Sequence, residues 1–258
     1  MTGVTASLLL TACQEGELVS HQGTALYQDM AKRLAVQVTQ PLLGQPPVLS
    51  DTVIYEAEGE PQYAWRVPSS NTGGWSVNTT NRQLARAFYN SVYSASLNTP
   101  IGWTGNHAGC VAGTTSSDFK NSVLARINYF RAMAGVPANI TLDSTYSAKA
   151  QQAALMMSAN NTLSHEPPSS WNCYTADGRA AAESSNISLG HNGWDAVGGQ
   201  MRDNGSNNTA VGHRRWLLLP QTQRMGAGDV PASGSFSPAN AVWVFDGNTF
   251  AARPSTHT

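Results

Sequence analysis

The chain has 258 residues, 41% of them hydrophobic and only 12% charged, about half the ~25% usual in soluble domains. Fifteen basic residues stand against 16 acidic ones for a net charge of −1, which excludes a phosphate-seeking basic surface and with it a nucleic-acid partner. Low charge with ample Leu, Val, Ala and aromatics also excludes a highly charged disordered chain, and no run of about 18 apolar residues predicts a membrane-spanning helix.

In chain order, Leu8-Leu9-Leu10-Thr11-Ala12-Cys13 comes first, a short apolar run that ends in small residues before a cysteine. It resembles the bacterial lipobox, whose cysteine becomes the lipidated first residue after signal cleavage. Met1–Ser7 carries no Lys or Arg, so either the true start lies upstream or the match is accidental. Residues 1–13 are read as the signal segment and 14–110 as an accessory region of unknown function. Within the latter, Leu26, Met30, Leu34 and Val38 have helical spacing, Val53–Tyr55 and Tyr63–Val67 read as strands, and Ser69–Thr80 as a loop. Gln83–Ala95 returns to helical spacing through Leu84, Ala87, Phe88 and Val92.

From Ser117 the pattern sharpens. Asp118 is the expected N-cap of a helix carrying Val123, Ile127, Phe130 and Ala134 on one stripe, stopped by Gly135-Val136-Pro137. Asp143 or Ser144 caps a second, alanine-rich helix that ends at Asn160-Asn161. Further helices are expected over Ala176–Ser184, Asp195–Arg202 and within Val211–Leu219, and strands over Gln223–Ala227 and Ala241–Phe245. Helices followed by strands predict an α+β fold with helices packed on a small antiparallel sheet.

Four short segments carry a resemblance. They are Leu163-Ser164-His165-Glu166, Asn186-Ile187-Ser188-Leu189-Gly190, Val211-Gly212-His213-Arg214-Arg215-Trp216 and Arg224-Met225-Gly226-Ala227-Gly228, with Ala241-Val242-Trp243-Val244 behind them. In this order and spacing they resemble the CAP superfamily of cysteine-rich secretory, antigen five and pathogenesis-related proteins, whose bacterial members are SCP-like extracellular proteins. Asn128 and Arg131 look like the family's first-helix pair. The resemblance implies an α-β-α sandwich over residues 111–250 and a cleft in which His165 and His213 converge. Imidazole suits such a place because one nitrogen can meet a ligand while the other is oriented by a neighbour.

The family commonly has Glu immediately before the Asn of the middle motif; here Ser185 precedes Asn186. Glu183 lies two positions earlier, off the shared helix face, and enters the cleft only where the backbone is irregular. Glu166 adjoins His165 but tends to diverge from it, and Asp195 and Asp203 are the remaining acidic candidates. A divalent metal such as zinc on His165 and His213 is one expectation, weakened by the missing carboxylate because even a catalytic zinc needs three protein ligands. Ser185 is also a conceivable nucleophile, whereas His107 and His191 read as loop residues. With Cys13 assigned to lipid, Cys110 and Cys173 are expected to pair, since export permits oxidation; buried free thiols are the alternative.

Two readings stay open. One is an exported, lipid-anchored protein at the bacterial cell envelope, touching membrane only through its anchor and binding a small-molecule, lipid or peptide ligand in the cleft. The other is a peptidase-like hydrolase using the two histidines. A carboxylate within hydrogen-bond reach of either histidine favours the hydrolase.

Overall fold

The computed structural model describes residues 74–253; the lipobox, Cys13 and the elements expected before residue 74 lie outside the described residues. All the described residues belong to the second of two units, Met1–Trp65 and Arg66–Thr258. Helix α1 (Arg82–Phe88) is capped by Asn81, whose side chain accepts from the Gln83 and Leu84 amides, and runs on as a π-helical turn over Tyr89–Ser94. Phe88 and Val92 pack with Tyr129, Ala132 and Ala138, so this segment covers part of the next helix. Trp75 adds a bridge to Ala138.

Helix α2 (Ser117–Met133) begins slightly earlier than an Asp118 cap predicts. Ser116 is the N-cap, its hydroxyl accepting from the Phe119 amide, and Asp118 sits in the first turn, where a negative charge favours the helix dipole. Strand β1 is only Thr141–Leu142. Asp143 caps α3 (Ser144–Asn160) through the Thr145 and Tyr146 amides, and Asn161 ends it in the left-handed conformation. There follow α4 (Ala176–Ser184), β2 (Ser185–Leu189), α5 (Gly193–Arg202), the short α6 (Asn207–Ala210) and α7 (Gly212–Leu217), and then β3 (Arg224–Val230) and β4 (Ala239–Trp243). The sheet order is β1-β3-β4-β2, with β1 parallel to β3 and the other pairs antiparallel.

Alternation along the strands builds the α-β-α sandwich. Met225, Ala227, Val242 and Val244 face one way and meet Val123 and Ile127 of α2, Val197 of α5 and Leu217 of α7. Ile187, Ala239 and Ala241 face the other and meet Ala150, Ala153 and Met157 of α3 with Ala181 and Ala182 of α4. Gly226 and Gly228 let the α3 backbone lie directly on the sheet, which explains the run of alanines on that helix. Cys110 and Cys173 form the expected disulfide, with Cα atoms 5.0 Å apart. Closing a loop of that length restricts the unfolded chain by about 4 kcal/mol in the chain-entropy account.

A buried polar network crosses the α2/α5 side of the sheet. Asp229 Oδ1 accepts from the Gly193 amide at 2.6 Å and from Asn240 Nδ2 at 2.8 Å, and Gln200 Nε2 donates to Asn240 Oδ1 and Ser188 Oγ. Burial pushes the Asp229 carboxyl from 3.8 up to about 6, against the pull of those two hydrogen bonds. A folded-state value above the unfolded one means that the native protein holds the proton more tightly across that window. The resulting stabilisation is present at the acidic end and is lost as pH rises through about 6. The stability difference between wild type and Asp229→Asn is therefore expected to shift by up to about 3 kcal/mol in favour of wild type from pH 7.5 to pH 4. Urea unfolding across that range checks it; a pH-independent difference excludes the titration.

Candidate functional site

The change from helix α4 to strand β2 at Ser184–Ser185 shapes the site. It is the irregularity that Glu183 requires: Glu183 from the last turn of α4, Ser185 and Asn186 from β2, His165 from the α3–α4 loop and His213 from α7 all line one cleft of about 440 Å³. Trp216, Val244 and Phe245 supply an apolar wall. All five sequence-derived cleft residues thus share one cavity.

Each histidine is held by Nδ1. His165 Nδ1–H donates to the Ala182 carbonyl at 2.8 Å, and because a carbonyl only accepts, the ring's proton sits on Nδ1. His213 Nδ1–H points at Asp203 Oδ1 at 2.6 Å, and the Asp203 side chain is fully buried. The other Asp203 oxygen accepts from the Arg214 amide at 3.1 Å. Asn186 Nδ2 donates to the His213 carbonyl at 3.0 Å, tying β2 to the histidine-bearing helix. Nε2 of both rings is left without a partner among the described residues, the nitrogen able to take or give a proton or accept a ligand's hydrogen bond. Ser185 Oγ is buried and also has no partner among them, so it is not hydrogen-bonded to either histidine.

Asp203 is the acid that sequence reasoning placed only loosely. It caps α5 in the left-handed conformation, ten residues before His213, and no periodicity connects the two. Asp195 pairs instead with His191 at 2.6 Å, in a separate cavity with Trp194, and that hydrogen bond holds its carboxyl below the usual range. His191 lies in the loop before α5, as the sequence predicts, with its ring paired to Asp195. His107 is buried against Phe236, its ring bonded to Ser158 Oγ at 2.8 Å, and burial lowers its pKa.

Among the described residues no group of three or more His, Cys, Asp or Glu side chains is gathered that would hold a metal ion. Glu183 is bound by Arg179 Nε at 2.9 Å, and Asp203 is committed to His213 and the Arg214 amide. Two imidazoles alone fall short of a resident zinc site, so the residues present do not fit one.

Comparison with known proteins gives one family match. Residues 124–246 match the model of CAP, the cysteine-rich secretory protein family. Among solved structures the chain is similar to an outer surface protein from Borrelia burgdorferi, at 13% identity and a TM-score of 0.36, over 49% of this chain and 92% of that one. No curated protein matches the chain.

Proposed function

Residues 124–246 match the cysteine-rich secretory protein (CAP) family, and on that premise we propose that the chain is an exported protein whose two-histidine cleft binds a small-molecule, lipid or peptide ligand. The observation that carries the reading is that His165 and His213 line one cleft, each ring anchored through Nδ1 and its Nε2 without a partner among the described residues. The apolar wall of Trp216, Val244 and Phe245 takes the rest of such a ligand. The disulfide agrees with an oxidising compartment. The proposal includes lipid anchoring at Cys13, tested by Cys13→Ala, which is expected to move the protein from the membrane to the soluble fraction.

A second reading, hydrolysis, meets the carboxylate criterion set from sequence, because Asp203 lies within hydrogen-bond reach of His213. It ranks second because, among the described residues, Ser185 Oγ has no base contact and no metal-holding group is gathered. A buried carboxylate fixes the ring with Nε2 free, the arrangement a general base needs. Sterol, fatty-acyl and peptide probes, screened by thermal shift and for turnover, separate the two. Binding predicts a probe that stabilises wild type and loses at least about tenfold in affinity with His165→Ala and with His213→Ala, without turnover. Turnover that falls about 100-fold or more with Asp203→Asn selects hydrolysis instead.

A further inference from the structure

Beside the histidine cleft, on the far side of Ala210, Gly212 and Trp216, lies a second cavity of about 360 Å³. Leu218, Leu219 and Pro220 make its apolar wall, and Arg215 and Arg253 enter it from α7 and from the C-terminal segment. No acidic residue is among the described residues that line it.

The adjacent arginines of α7 have opposite fates. Arg214 is spent inward, its guanidinium donating to the carbonyls of Met201 and Arg202 and to Asn208 Oδ1. Arg215 is exposed and its guanidinium, like that of Arg253, has no hydrogen bond or ion pair with any described residue. Two guanidiniums at one apolar cavity, without a partner among the described residues, are charges in want of a counter-charge. Their planar forks match the paired oxygens of a carboxylate or phosphate. Trp216 is braced edge-on by Phe245, ring centroids 4.8 Å apart, so the wall between the two cavities is fixed.

We propose that this cavity is a binding site for an amphipathic anion, a single carboxylate or phosphate gripped by Arg215 and Arg253 with its apolar body against Trp216, Leu218, Leu219 and Pro220. The site stands independently of the histidine cleft and keeps its ligand even if nothing enters that cleft.

Calorimetric titration of the full chain with octanoate, octyl phosphate, octanol and acetate tests it. Saturable binding of at least one octyl anion is expected, with octanol weaker by about 30-fold or more and acetate, which lacks the apolar body, weaker still. Arg215→Gln and Arg253→Gln should each weaken the anion about tenfold, and together about 100-fold, with unchanged thermal melting; the tighter anion names the headgroup. Octanol binding as tightly as the anions, no binding by either anion, or full affinity in the double variant overturns the site.

Discussion

Replacing Arg131 with Met is expected to cost about 5 kcal/mol of folding stability. The guanidinium is fully buried in α2 and donates to four carbonyls: Pro137 at 2.7 Å, Leu217 at 2.8 Å, Leu219 at 3.0 Å and Thr222 at 3.4 Å. The Pro137 carbonyl lies in the turn after α2, and the other three lie at the end of α7 and in the turn leading into β3. Met fills the space but donates nothing; the Leu219 carbonyl keeps the Thr222 amide, whereas each of the other carbonyls left unpaired costs about 1–3 kcal/mol. Burial lowers the Arg131 pKa to about 10, partly offset by Asp246, so the side chain remains charged at neutral pH and its four bonds are charge-assisted. Arg131→Lys should recover only part of the loss, because one ammonium lacks the reach of the fork. Urea denaturation at pH 7 measures both; a Met variant within about 1 kcal/mol of wild type would show that the carbonyls find other partners.

Gly228→Ala is expected to be more damaging than ordinary overpacking, which costs about 1–3 kcal/mol. A β-carbon at this position meets the α3 backbone, 2.1 Å from the Ala150 carbonyl carbon and 2.2 Å from the Gln151 nitrogen. No rotamer relieves a clash between two backbones, so α3 must lift off β3. That movement also stretches the Gln151 clamp, in which Nε2 donates to the Asp229 carbonyl and Oε1 accepts from the Asp229 amide. The expected result is loss of the cooperative thermal transition, read by near-ultraviolet circular dichroism. Gly212→Ala, where a β-carbon meets nothing within 4 Å, is the control expected to melt like wild type.

Legibility from sequence followed how local each determinant is. Asp143 and Asn161 bracket α3 through bonds to amides and carbonyls within one turn, and the sequence reads them directly. Strand β2 escaped because Ser-Asn-Ile-Ser-Leu carries little strand propensity; it is a strand because Ser185–Leu189 pairs with β4 residue by residue. Asn128 and Arg131 were recognised as a motif, yet their role, bonding Ile140 and the carbonyls beyond α7, depends on contacts up to 91 residues away. His165, His213 and Asn186 stand out by motif order and Glu183 and Ser185 by their nearness to Asn186, and the structure brings all five to one cavity. Asp203 and the pair Arg215 and Arg253 were not legible, because each acquires its meaning only when distant segments meet.

The Cys110–Cys173 bond has a consequence for a chain exposed to proteases. It ties the segment entering α2 to the loop after His165, so that α2, β1, α3 and His165 all lie within the covalent ring. A single cut anywhere between the two cysteines leaves both fragments attached. Such a nicked molecule keeps its mass on a non-reducing gel, and its two halves, held at high effective concentration, retain the packing of α3 on the sheet.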